Sequence, residues 1–205
     1  MTGDESDSAI GLGDAACRLY GAKARAELTQ ADRMLGTRLP VSGSGDPLGR
    51  VLLVKGEPGP EDVATRRALA GVDGEAAAKA LEALGMDPSS AWATCSRPRK
   101  ADEQAVSSRL RLIVEAVDPA LVICLDPLAG RDMARALGLG TLAPGVPATH
   151  MGRVVGAVDG LEASLGDPAA QARVWRQMRA VAAALPQAPA SPQPASRGGS
   201  EQGTS

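Results

Sequence analysis

The chain holds one histidine, His150, placed directly after Pro147-Ala148-Thr149. An imidazole there is either a functional donor at a strand end or simply a polar residue with a water partner. Glu57, Glu61 and Asp62 sit in a Gly- and Pro-rich turn that follows the apolar run Val51–Val54. A carboxylate there could assist catalysis, but acids after a strand more commonly cap the next helix. Cys95 closes a second apolar run, with no histidine near it in sequence, so a small buried residue is the better reading than a nucleophile. Arg97, Arg99 and Lys100 come next, with Arg109 and Arg111 beyond them. That cluster could bind phosphate or form a solvated helix face.

Several chemistries are excluded. One histidine rules out any site needing two imidazoles within the chain, and Cys17, Cys95 and Cys124 contain no C-x-x-C pair. A disulfide framework and a four-cysteine metal site are therefore not expected, and neither a metal nor a cofactor is assigned. The turn at Gly56–Asp62 is neither a Walker loop nor G-x-G-x-x-G, and no G-x-S-x-G surrounds a serine. Twenty-two basic against twenty-four acidic residues leave a net charge of −2, so any grip on nucleic acid must be local.

The elements that must position these residues follow from pattern. Apolar residues make up 44% of the chain, enough for a core, yet Phe is absent and two Trp and one Tyr are the only aromatics. Leu, Val and Ala must fill the interior, with Trp92 and Trp175 expected to pack there. Apolar runs at Val51–Val54, Ala91–Cys95 and Ala120–Leu125 predict buried strands, and Val146–Thr149 predicts a short fourth ending at His150. Helices are predicted at Leu12–Leu35, Gly74–Leu84, Ala101–Val117, Leu128–Leu137 and Pro168–Leu185, the last capped by Asp167. Unalternating strands separated by helices predict a three-layer α/β/α sandwich around a central parallel four-stranded sheet. Ligands in such folds sit beyond the carboxyl ends of the strands. Lys55–Asp62, Cys95–Lys100, Asp126–Leu128 and His150–Arg153 are expected to meet there.

Residues 1–11 are polar and acidic, and 186–205 are rich in Pro, Ser, Gly and Gln, so both ends are expected to be disordered around one domain at 12–185. No apolar stretch approaches a membrane span, and Met1–Ser8 lacks the basic start and apolar run of a secretory signal. The expectation is a cytoplasmic protein with no membrane association.

The order of segments carries more than any one of them. A buried strand leads into P-G-P-E-D, then R-R-A-L-A-G-V-D-G opens a helix ending in A-L-G-M. A strand ending near Thr94 precedes the Arg-Pro stretch, D-P-A-L-V-I-C-L follows, and P-A-T-H comes before a helix with A-R-V-W-R-Q-M. Over about residues 14–181 this series resembles the uracil-DNA glycosylase superfamily, most closely its iron–sulfur bacterial branch. That family runs G-E-(A/G)-P-G-x-x-E, G-R-P-F-V-G-x-A-G, T-N beside a Lys/Arg-Pro stretch, P-x-x-(I/V)-(I/V)-x-L-G and T-x-H-P before a helix carrying Trp.

The resemblance implies a glycosylase-like fold, with His150 and Glu57 at the catalytic positions, Gly59, Leu69 and Cys95 against substrate, and Arg97, Arg99 and Lys100 on DNA. The departures bear on activity. Aligned on Pro58-Gly59, the family's catalytic acid falls at Gly56, its base-stacking Phe at Leu69 and its base-reading Asn at Cys95. Asp126 replaces the Gly of L-G and Met151 the Pro after His, and cluster-cysteine positions carry Asp14 and Val106. An iron–sulfur cluster is not expected. A missing aromatic platform and a missing amide each forfeit roughly 1–3 kcal/mol, and a lost carboxylate about two to four orders of magnitude in rate. The expectation is a divergent member that binds DNA or a nucleobase ligand with weak or lost base excision. The alternative is a non-catalytic module that holds a protein partner on the same scaffold.

Overall fold

The computed structural model describes residues 4–186, with side chains from Gly13 onward; residues 187–205, expected to form a disordered tail, lie outside the described part. The strands are β1 (Ser44–Gly45), β2 (Val51–Lys55), β3 (Ala91–Cys95), β4 (Leu121–Cys124), β5 (Ala148–His150) and β6 (Arg153–Ala157). The helices are α1 (Asp4–Arg33), α2 (Pro60–Thr65), α3 (Val72–Ala83), α4 (Glu103–Val117), α5 (Pro127–Ala136), α6 (Leu161–Ser164) and α7 (Pro168–Ala182). Helix α1 starts well before Leu12, so it takes in acidic residues expected to lie outside the domain.

The fold is α/β with a mixed six-stranded sheet in the order β1-β3-β2-β4-β6-β5. β3, β2, β4 and β6 run parallel, and β1 and β5 add antiparallel edges. Side chains alternate between the two faces. Leu52, Val54, Val122 and Cys124 pack under α1, α4 and α5. Val51, Leu53, Leu121 and Ile123 pack under α3 and α7. Each fully buried Leu or Ile contributes roughly 1.5–3 kcal/mol by leaving water, and these aliphatics replace the missing aromatics.

The expected fourth strand is corrected. Val146 and Pro147 lie outside any strand, and Ala148–His150 is an antiparallel edge paired to β6, so the fourth parallel strand is Arg153–Ala157. Two features hide it. Gly156 interrupts its apolar run, and that glycine is required because a Cβ there would collide with Val181 of α7. The β5–β6 turn uses Met151 and Gly152, both at positive φ, in place of the usual Asn-Gly signal. Within the Pro- and Gly-rich stretch 40–49, Ser44 and Gly45 form the opposite edge.

Candidate functional site

The carboxyl ends of β2, β4 and β6 open onto a cavity of about 460 Å³, lined among others by Lys55, Glu57, Asp126, Leu128, Asp159 and Glu162. Lys55 is the last residue of β2 and falls on the α3 face of the sheet, in step with Val51 and Leu53. Its ammonium donates to Asp62 and Glu162 at 3.1 Å each and to Asp73 at the start of α3. Asp62 also accepts from the amides of Gly59 at 2.9 Å and Ala70 at 2.8 Å. One ammonium thus ties helices α2, α3 and α6 to the strand end, with Lys55, Asp62 and Asp73 buried and Glu162 at the exposed rim of the node.

The charges of that node are held by opposing effects. Burial alone would lower the Lys55 ammonium, but Asp73 and Asp62, with Glu162, keep it above the usual lysine range. Burial would raise Asp62, but the Ala70 and Gly59 amides and the Lys55 ammonium outweigh that and hold its carboxyl below the ordinary value.

A second lock closes the other wall. Asp126 caps α5 through Leu128 and Ala129, both at 2.9 Å, and accepts the Gly56 amide at 2.6 Å. A Cβ on Gly56 would stand 2.8 Å from the Asp126 carboxylate and 2.9 Å from Leu128. Position 56 therefore admits no side chain while Asp126 holds the strand end. Asp159, after β6, is tied to α7 by Arg173 at 2.9 Å and Gln177 at 2.8 Å.

Of the sequence-derived site residues, the structure brings Glu57 and Gly59 to the cleft. Glu57 is exposed on the cavity wall. Gly59 caps α2, and its Cβ position lies 3.5 Å from the Lys55 ammonium. Leu69 is half-buried at positive φ and packs toward the α3 core. Cys95 is buried, and burial, with the nearby Asp62 carboxylate adding, pushes its thiol up to about 12. That suits a core residue, not a nucleophile.

His150 is corrected most sharply. It pairs with Arg153 at the start of β6, whose Val154 is level with Leu121 and, through it, with Val51. The ring therefore sits at the amino ends of the parallel strands, roughly 20 Å along the strand direction from Glu57. It does not project into the cleft, because β5 runs antiparallel and carries it away.

The basic cluster divides. Arg97 makes a bidentate pair with Asp132 of α5 at 2.7 and 2.8 Å, which Ser96 joins at 2.8 Å. Arg109 is fully buried and donates to Asp32, the Cys95 carbonyl and Thr94. Arg111 caps the end of α5 through the Ala136 carbonyl. Arg99 and Lys100 are exposed. Arg99 lies against Gly36, just after α1. Ser44 pairs antiparallel with Ala93, which sets Ser42 level with Cys95 at the end of β3, and Ser42 bridges to Arg67. Arg66 and Arg67, neither singled out from the sequence, therefore lie with Arg99 and Lys100 on the β3 side of the carboxyl end, and all four are exposed. Pattern reading misses them because the short helix α2 lies inside a segment whose Gly and Pro content signals a turn.

Among the described residues, no group of three or more His, Cys, Asp or Glu is arranged to hold a metal ion. No helix among them is long and apolar enough to cross a membrane. Compared with known proteins, the chain matches no family model and no curated protein.

Proposed function

We propose that this chain is a divergent uracil-DNA glycosylase-like protein that binds nucleic acid along a cationic rim and has lost efficient base excision. The observation that carries this reading is the division of the carboxyl end. Exposed Arg66, Arg67, Arg99 and Lys100 stand on the β3 side, while the cavity beside them is acidic and closed at its floor by the Lys55 node. Cations on a rim position phosphates without reading sequence. A nucleobase carries no charge, so an acidic cavity rejects the backbone while leaving room for a base.

Loss of excision follows from the residues at the chemistry. Gly56 supplies no carboxylate and Cys95 no amide. When the family's T-x-H-P segment is aligned by the fourth parallel strand and the Trp-bearing helix after it, Asp159-Gly160 stands where the family has His-Pro. An acid there repels the negative charge that a departing base develops, where a donor would stabilise it. The experiment pairs a gel-shift titration with an excision assay on uracil-containing single-stranded and duplex DNA. The expected result is bound DNA with no uracil released. Release at a rate lowered in Glu57→Gln would restore the catalytic reading, and absence of any binding would remove the nucleic-acid reading.

A further inference from the structure

A second cavity, of about 690 Å³, opens between α5, the end of β6 and the segment 139–144. The buried Leu142, Ala157 and Val158 lie at its base. One wall is a single stripe of α5, since Pro127, Gly130, Arg131, Ala134 and Arg135 recur at three- and four-residue spacing and all line it. Helix α5 comes close to β6 here: a Cβ on Gly130 would stand 3.2 Å from that of Ala157. The opposite wall is tied at both ends. The Leu139 amide donates to the Ala134 carbonyl at 2.8 Å and the Gly145 amide to the Ala157 carbonyl at 2.9 Å, with Pro144 bridged to Ala157. Leu142 anchors the middle of that wall in the core under α4 and α5. The cavity is therefore formed before any ligand arrives, and its volume is that of a small-molecule site.

Its charge is of one sign. Arg131 and Arg135, one helical turn apart, are the only charged side chains that line it. The nearby acids are engaged elsewhere. Asp132 is paired with Arg97 and Ser96, and Asp126 holds the Gly56 amide and the first amides of α5. Arg135 shares an exposed pair with Glu103 through one nitrogen at 2.7 Å, while Arg131 has no carboxylate partner among the described residues. The cleft on the far side of Pro127, which lines both cavities, has the reverse character, with Glu57, Asp126, Asp159 and Glu162 on its walls.

We propose that this cavity binds a small monocarboxylate with an aliphatic or aromatic body, its carboxylate on Arg131 and Arg135 and its body on Leu139, Leu142 and Val158. A guanidinium fork matches a carboxylate through two parallel hydrogen bonds. Two cations with no acid on the walls favour the ionised ligand, and the apolar base takes its body out of water. Inorganic phosphate would leave that base wet. A nucleic-acid strand would bring many phosphates to a site that offers two cations and an apolar base. The site is also distinct from the cationic rim, because β6 and β3 lie on opposite sides of the central pair β2 and β4.

The test titrates 4-phenylbutyrate into the full chain carrying ¹³C-labelled leucine methyls, with Leu139 and Leu142 assigned through Leu139→Met and Leu142→Met. Both residues are expected to shift saturably, while Leu165, in the separate hollow between α3 and α7, stays in place. The uncharged 4-phenylbutanamide is expected to bind about tenfold more weakly or worse, having lost a charge-assisted hydrogen bond. Arg131→Ala/Arg135→Ala is expected to weaken 4-phenylbutyrate by the same factor and to leave the melting temperature near the parent's, since both side chains are exposed. Leu139 and Leu142 methyls unmoved at millimolar 4-phenylbutyrate would overturn the proposal. Equal affinity for acid and amide, or for parent and double variant, would overturn it too. Displacement of 4-phenylbutyrate by an equal concentration of inorganic phosphate would also overturn it, assigning the two arginines to a phosphate.

Discussion

Lys55 at the end of β2 and Asp73 in the first turn of α3 form an ion pair at 6% and 7% side-chain exposure, joined by Asp62 at 1%. The pair spans the step from sheet to helix on the floor of the cleft. Asp62 and Asp73 depend on the one ammonium for a counter-ion at this depth, and Lys55 depends on them.

Lys55→Met should therefore destabilise the protein by about 3–5 kcal/mol, because it leaves Asp62 and Asp73 buried with no ammonium between them. Urea unfolding measures this. Lys55→Met combined with Asp62→Asn and Asp73→Leu should recover much of the loss, since apolar replacement of a whole buried cluster is often near neutral. A single-variant cost below about 1 kcal/mol would mean that water already screens the node.

The same node sets the pH response. Asp62 titrates below the ordinary aspartate value of 3.8, so its stabilisation is complete above that value and disappears as pH falls through the lower folded value. Lys55 titrates above the ordinary lysine value of 10.5, so its contribution is complete below that value and disappears only as pH rises through the higher folded one. Melting temperature should be flat between about pH 5 and 9 as far as these groups govern it. The acid limb should be shallower in Asp62→Asn than in the parent, relative to each plateau. Equal acid limbs would place the acid sensitivity elsewhere.

Thiol reactivity should separate the cysteines. Cys17 is exposed on α1, whereas Cys95 and Cys124 are buried, and burial raises both buried thiols. A disulfide reagent at pH 8 should titrate one thiol in the native protein and all three in denaturant. Rapid modification of a second thiol without unfolding would show that β3 or β4 opens.

Gly56→Ala should cost about 1–3 kcal/mol through overpacking against Asp126 and Leu128, measured by thermal melts. Asp126→Ala removes the clashing carboxylate and should reduce that penalty, although it also removes a helix cap worth about 1 kcal/mol. A stable Gly56→Asp variant would show that the cleft can accept the carboxylate that the resembled family carries there.

The sequence disclosed the elements that have strong local signatures. Val51–Val54 and Leu121–Cys124 read as buried strands because both faces are covered, and Asp167-Pro168 marked the last helix by its cap. It hid β6, because Gly156 is there for the approach of Val181 and carries no strand signal of its own. The site was hidden for a related reason. Lys55, Asp62, Asp73 and Glu162 come from four separate elements, and nothing in their local spacing announces that they converge. His150 failed in the opposite sense: a good local pattern, P-A-T-H, belonged to a strand running the other way. Arg109 looked like a surface cation, and only the fold reveals it as a buried tie between α1, α4 and β3.

The division between acidic cavity and cationic rim is tested most directly by the salt dependence of DNA affinity. Parent protein, Arg66→Ala/Arg67→Ala/Arg99→Ala/Lys100→Ala and His150→Ala are titrated with a fluorescent single strand from low to physiological salt by anisotropy. The parent should show affinity falling steeply with salt. The rim variant should bind more weakly, with a log–log slope shallower by about 0.7 for each phosphate that it no longer neutralises. His150→Ala, at the far end of the sheet, should match the parent. A rim variant with the parent's affinity and slope would contradict the cationic-rim reading, as would a His150→Ala variant that alone failed to bind.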